Sequence, residues 1–296
     1  MKKLLYDFKL SFGSATGLYY LIMLNVAVFL LIQLVRLVLF LAGIDSEIFM
    51  DYAYHLSLPA SFGNLIINPW SVITYMFLHF NFMHIFFNML ILYWTGLLFS
   101  EYLGNDKLWA TYILGGLAGA LCYLIMYNVL PVFNESIGSA RLLGASAGVI
   151  AVLFAVATLL PNYTVQLLIF GPVRLKYIAL FSILLYAISI PDGNAGGNFA
   201  HLGGAFFGFF MIRQLQKGND WTAWLIRLVI RFRKPNMRAV ASRKTRGETE
   251  IEYADRKKSR QEIIDKILDK ISQSGYESLS AEEKDILFKA SKNMKE

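Results

Sequence analysis

The chain has 296 residues, of which 56% are hydrophobic, 15% aromatic and only 17% charged, with mean hydropathy +0.48 and formal charge +7. Residues 1–212 hold 8 Lys/Arg against 8 Asp/Glu, whereas residues 213–296 hold 20 against 13, so the first part is neutral and oily and the tail carries all the net charge. Soluble domains are about one quarter charged; a soluble enzyme, a secreted disulfide scaffold (Cys122 is the only thiol) and a nucleic-acid-binding domain are excluded, and an all-α polytopic membrane protein is expected.

The segment Met1–Lys9 carries Lys2, Lys3 and Lys9, and the apolar run after it reaches Leu41 without a small-residue cleavage site, which predicts a retained span. A helix needs about 20 apolar residues to cross a bilayer. Six such spans are predicted near 18–42, 83–100, 108–130, 144–160, 174–190 and 199–215, with Pro131, Pro161, Pro172 and Pro191 at their joints. Lys2, Lys3, Lys9, Lys107, Arg174, Lys176, Arg213 and Lys217 fall on one side against Arg141 alone on the other, so both termini are expected in the cytoplasm. Arg36, toward the outer end of the first span, has two accommodations: snorkelling to the interface or facing the bundle.

The first outer connection, 42–82, is long enough to carry structure of its own and includes the amphipathic stretch Pro69–Leu78. Past the sixth span, Trp221, Trp224, Leu225, Leu228 and Phe232 recur at helical spacing opposite Arg227, Arg231, Arg233 and Lys234, the pattern of a basic helix on anionic inner-leaflet lipid. Residues 237–260 read as a charged linker. Beyond it Ile263, Ile264, Ile267, Leu268 and Ile271 form one apolar face. Ser280 and Glu283 form a capping box before Ile286, Leu287 and Ala290, with Gly275 between, so a small helical hairpin is expected. Three regions follow: a membrane domain at 1–216, a basic helix and linker at 217–260, and a hairpin at 261–296.

The residues a span should avoid are informative. His84 and Asn88, four apart, share one face at the outer end of the second span. Ser146 opens the fourth within Gly144-Ala145-Ser146-Ala147-Gly148. His201 begins the sixth, followed by Gly204 and Gly208. Singly, each has a packing explanation. Together, three helices that start from the same face deliver a hydroxyl, an imidazole to activate it and donors for an oxyanion to one depth. Gly204 and Gly208 would let the sixth span approach the small stripe Ala147, Ala151 and Ala155 on the fourth, and residues 191–198 would form a cap.

The segment His79-Phe80-Asn81-Phe82-Met83-His84-Ile85-Phe86-Phe87-Asn88, then Gly144-Ala145-Ser146, then Ala200-His201-Leu202-Gly203-Gly204 with Gly208, resembles the rhomboid intramembrane serine proteases. The resemblance covers roughly residues 18–216. It implies a six-helix bundle, Ser146 as nucleophile, His201 as general base, and His84, Asn88 and the Ser146 N–H as oxyanion hole, with His79, Gly144, Gly204 and Gly208 supporting the site. This chain departs from the family at Ala147, often Gly, at Ser71 after Trp70, where many members have Arg, and at Ile150, where some bacterial members stack a Tyr on the base. Neither Asp nor Glu lies in spans four or six, so a Ser/His dyad is expected.

The resulting expectation is a hydrolase of the bacterial inner membrane that cuts single-span membrane proteins near the outer face. No cofactor, metal or nucleic-acid partner is expected. A pseudoprotease would lack the serine or the histidine, and a transporter would show internal repeats or midplane ionisable groups.

Overall fold

The structure, a computed structural model, describes residues 16–44, 49, 52–167 and 171–232 and, in the tail, 263, 265–267, 269–271, 279–280 and 282–284. The lysines of Met1–Lys9, the linker at 237–260 and Gly275 lie outside the described residues. The chain divides into two compact units, Met1–Lys234 and Pro235–Glu296.

The first unit is mostly helical. Helix α1, Thr16–Leu41, buries Leu18, Leu21, Asn25 and Phe29, a single stripe at spacings of three and four. Leu30, Leu31, Leu34, Leu37 and Phe40 are exposed, as are Phe82, Phe86, Leu180, Phe181 and Phe206 on other helices. An apolar exterior this extensive is a lipid-facing surface. Arg36 is also exposed, so it belongs to the exterior near the end of α1 rather than to the bundle interior.

Between α1 and the next long helix the connection is structured: β1 (Leu58–Pro59), α2 (Phe62–Ile67), α3 (Ser71–Thr74) and a 3-10 turn (Tyr75–Phe77). Then come α4 (Phe82–Leu103), α5 (Asn105–Val129), a 3-10 turn (Pro131–Phe133), β2 (Arg141–Leu142) and α6 (Ser146–Leu159). They are followed by β3 (Thr164–Leu167), β4 (Gly171–Arg174), α7 (Leu175–Ile188), α8 (Ala195–Gln216) and α9 (Ala223–Phe232). Helices α4, α6 and α8 all begin at one end of the bundle, the site end, and α5 and α7 begin at the opposite end. Among the described residues α1, α4 and α5 are long and apolar enough to cross a membrane. The other expected spans are α6 and α7, apolar helices of 14 residues each, and α8, whose 22 residues include Asn198, His201 and five glycines.

The expectation of an all-α fold needs one correction. β1 pairs antiparallel with β2, Leu58 opposite Leu142, and β3 pairs with β4, Thr164 opposite Arg174. Both pairs satisfy backbone groups of connections that would otherwise lack partners.

Helix α6 is the axis of the bundle: every residue from Ala147 to Ala157 is buried. Lipid supplies no hydrophobic drive between helices, so close packing has to come from small residues. Here Gly204 and Gly208 of α8 lie directly on the Ala147 and Ala151 carbonyls of α6, and Gly115 and Gly119 of α5 lie on the Ala151 and Ala147 methyls. A Cβ at any of the four would overlap its neighbour. The turn before α4 is held by buried tyrosines: Tyr75 donates to the Gly116 carbonyl (2.6 Å) and Tyr112 to the Met76 carbonyl (2.9 Å).

At the opposite end, Asp220 accepts from the Thr222 N–H (2.9 Å) and hydroxyl (2.6 Å), just before α9, and pairs with Lys107 at the start of α5. Burial alone would raise the Asp220 carboxyl, but the Lys107 and Thr222 donors outweigh it and hold it below the usual carboxylate range. In the second unit Ser280 and Glu283 form the reciprocal capping box, Ser280 N–H to the Glu283 carboxylate at 2.7 Å and Glu283 N–H to Ser280 Oγ at 3.2 Å.

Candidate active site

Ser146 is the first residue of α6, and the chain leading into it is pinned at three points. β2 is paired to β1, the Gly144 N–H donates to the Tyr75 carbonyl (2.9 Å), and the Ala145 N–H donates to His79 Nε2 (3.3 Å). Gly144 has φ +119°, which an L side chain rarely adopts. The turn it makes delivers Ser146 at a helix N-terminus, where the first N–H groups have no intrahelical acceptor.

Helix α4 is capped by Asn81, whose Oδ1 accepts from the Met83 N–H (2.8 Å) and the His84 N–H (3.2 Å), and this sets the azimuth of His84. The His84 ring lies edge-on to His79, centroids 5.0 Å apart. It also lies across Gly144: a methyl there would sit 2.7 Å from His84 Cε1, 2.9 Å from its Nε2 and 3.8 Å from Ser146 Oγ. Gly144 is therefore needed twice, for its dihedral and for the room its missing side chain leaves to His84 beside the serine.

One turn along α4, buried Asn88 directs Nδ2 to His79 Nε2 at 3.2 Å. His79 Nε2 thus accepts from both Asn88 and the Ala145 N–H, which places its proton on Nδ1. Asn88 spends one amide hydrogen on His79 and retains a second.

His201, in the second turn of α8, brings Nε2 to 2.7 Å from Ser146 Oγ. Its other face meets Tyr186 of α7, ring centroids 4.5 Å apart. His201 Nδ1 is buried and, among the described residues, has no hydrogen-bond partner. The close approach of α8 to α6 at Gly204 and Gly208 makes the short Ser146–His201 distance geometrically possible.

Ser146, His201, His84, Gly144, Asn88 and His79 are therefore gathered at the site end. His55, by contrast, bonds Asn68 through Nδ1 (3.0 Å) in the first connection. Among the described residues no three His, Cys, Asp or Glu side chains form a group suited to a metal ion. The expected cap at 191–198 is shorter than the sequence implied. Asn194 Oδ1 accepts from the Gly197 N–H (3.3 Å) and Asn198 Nδ2 donates to the Ser189 carbonyl (2.7 Å), so α8 already begins at Ala195 and only the Pro191–Asn194 turn is non-helical. Sequence reasoning missed Tyr186. Its only signal was a hydroxylated ring in an otherwise apolar run, which does not say which neighbour it meets.

The chain is similar to known protein families in two regions. The profile of the Rhomboid domain matches residues 68–217, half of the chain, and that of a family of unknown function (DUF6576) matches residues 248–293. RHOMBOID-like protein 12, mitochondrial, of Arabidopsis thaliana is 30% identical over 157 residues, covering 50% of this chain and 47% of that relative, so the match spans about half of its length. The domain match runs from the turn before α4 to the end of α8, the stretch that builds the whole serine–histidine site, and with the lipid-facing exterior it identifies the chain as a multi-pass membrane protein of the rhomboid family.

Proposed function

We propose that this chain is an intramembrane serine endopeptidase that cleaves single-span transmembrane proteins near the outer membrane face with a Ser146/His201 dyad. The observation that carries the reading is the 2.7 Å approach of His201 Nε2 to Ser146 Oγ at the head of α6. A serine hydroxyl is a weak nucleophile until a base takes its proton. Neutral His201 accepts that proton as Oγ attacks the scissile carbonyl, and the negative charge develops beside the Ser146 N–H, His84 Nε2 and the second amide hydrogen of Asn88. The imidazolium then protonates the leaving amine, and a water, deprotonated by the same base, hydrolyses the acyl-enzyme.

The remaining expectations belong to the same proposal. The protein resides in a bacterial inner membrane with six spans, α1 and α4 to α8, and both termini in the cytoplasm. Residues 1–216 are the protease domain, the α9 region within 217–260 rests on anionic inner-leaflet lipid, and 261–296 is an accessory hairpin.

The test is purified full-length protein in detergent with a generic transmembrane substrate. Wild type gives a discrete product and labels with a fluorophosphonate, Ser146→Ala does neither, and His201→Ala loses both. Wild-type turnover in Ser146→Ala, free of contaminating peptidase, overturns the assignment.

A further inference from the structure

We propose that Tyr186 is a positioning residue that holds the His201 imidazole in line with Ser146, so that the base is oriented from α7. The inference rests on the dyad reading above. An imidazole bonded through one nitrogen still rotates about Cβ–Cγ unless its second nitrogen or its faces are held. The usual restraint is a carboxylate or carbonyl on Nδ1. Here Nδ1 is buried without a partner among the described residues, and neither α6 nor α8 carries an Asp or Glu. One turn past Ser146 stands Ile150, a buried aliphatic residue with no ring to stack. The aromatic ring packed against His201 is that of Tyr186, centroids 4.5 Å apart and planes inclined at 57°, a close tilted contact.

The origin of that ring gives the contact its consequence. Helix α7 buries only Leu175 and Ala179, both in its first two turns at the opposite end of the bundle. Near the site end Leu184, Leu185 and Ile188 are exposed, and half-buried Tyr186 faces inward between them. Orientation of the base is thus tied to the placement of the outer half of a peripheral helix. When that half is docked, the imidazole is clamped between Tyr186 and Ser146. When it is displaced, the hydrogen bond to Oγ loses its backing. Misplacing a catalytic group by about 1 Å costs on the order of 10²-fold in rate.

The experiment compares full-length wild type, Tyr186→Phe, Tyr186→Leu and Tyr186→Met, with Ser146→Ala as the blank. It reads kcat and KM on a transmembrane substrate, the rate of fluorophosphonate labelling at Ser146, and the melting temperature. The expected result is that Leu and Met lower kcat and the labelling rate together by about tenfold or more, with KM little changed. Phe, which keeps the ring without the hydroxyl, restores most of both rates. Labelling needs no peptide substrate, so a merely structural or substrate-contacting role does not reproduce this pattern. If Leu and Met fold and label at the wild-type rate, or change KM alone, Tyr186 does not position the base. If Phe is as slow as Leu, the hydroxyl rather than the ring acts and the proposal falls. Should one aliphatic variant fail to fold, the other is read against Phe. Should wild type itself neither cleave nor label, the failure is that of the protease reading.

Discussion

At the scale of single residues, Gly144 carries two constraints at once, and neither tolerates a methyl. Its φ of +119° costs a side-chain-bearing residue about 1–3 kcal/mol, and the added carbon collides with His84. Gly144→Ala is expected to lower the melting temperature measurably and to depress kcat by displacing His84 from the serine. A fully active Gly144→Ala protein would show that His84 does not need its present place. On the proposed mechanism His84→Ala should slow cleavage about 10²-fold, the usual effect of one lost oxyanion donor, while leaving the Ser146 N–H in place. Asn88→Ala should cost both rate and stability, because the same amide also donates to His79. His79, in the connection before α4, is drawn down to about 4 by burial and then by the neighbouring His84, with the Phe77 backbone opposing. A depressed histidine favours the folded state while neutral. That contribution is complete above the ordinary value near 6.5 and is lost as pH falls toward 4, when protonated Nε2 can no longer accept from Ala145 and Asn88. Melting temperatures of wild type and His79→Gln across pH 4–8 should therefore converge at the acid end; a constant difference would contradict this account.

At the scale of elements, the α5–α6–α8 triple is built of glycine and alanine contacts, so volume added there has nowhere to go. Gly208→Leu is expected to destabilise by at least about 1–3 kcal/mol, the usual cost of overpacking, and to lengthen the Ser146–His201 approach; thermal unfolding together with the labelling rate reads both effects. This triple was legible in the sequence, because Gly204 and Gly208 repeat at one helical turn and Ala147, Ala151 and Ala155 do the same on the partner. The serine, the histidine and the His84/Asn88 face were legible for a related reason: polar groups at matching ends of alternating spans share a depth by connectivity alone. Other features were not. β1 and β2 are two residues each and 82 positions apart from Pro59 to Arg141, too short for any periodicity. The Asn88–His79 bond depends on the course of a loop, and the Tyr186–His201 contact on the rotation of α7 about its axis, which an almost uniformly apolar helix does not encode.

At the scale of the molecule, α9 is anchored to the bundle at the end remote from the serine, through Asp220 to Lys107. Truncation after Gly218 removes that anchor and everything beyond it but none of the proposed catalytic groups. It should leave cleavage of a detergent-solubilised substrate nearly intact and lower thermal stability, since the ion pair and the packing of α9 beside α5 are lost together. Loss of cleavage in a folded truncate would mean that the distant end communicates with the dyad. A different consequence follows from the lengths of the helices. α6 has 14 residues but is enclosed by its neighbours, whereas α7 has 14 residues and faces outward. At about 1.5 Å per residue α7 is some 21 Å long, against a hydrocarbon layer of about 30 Å. On the proposal that α7 is a span, either the lipid beside it thins or the residues flanking the helix make up the difference, whereas beside α1, with 26 residues, neither is needed. On that proposal the hydrophobic belt is asymmetric around the molecule, shortest along the helix that carries Tyr186, and a substrate segment reaching Ser146 from that flank would have the least hydrocarbon to cross.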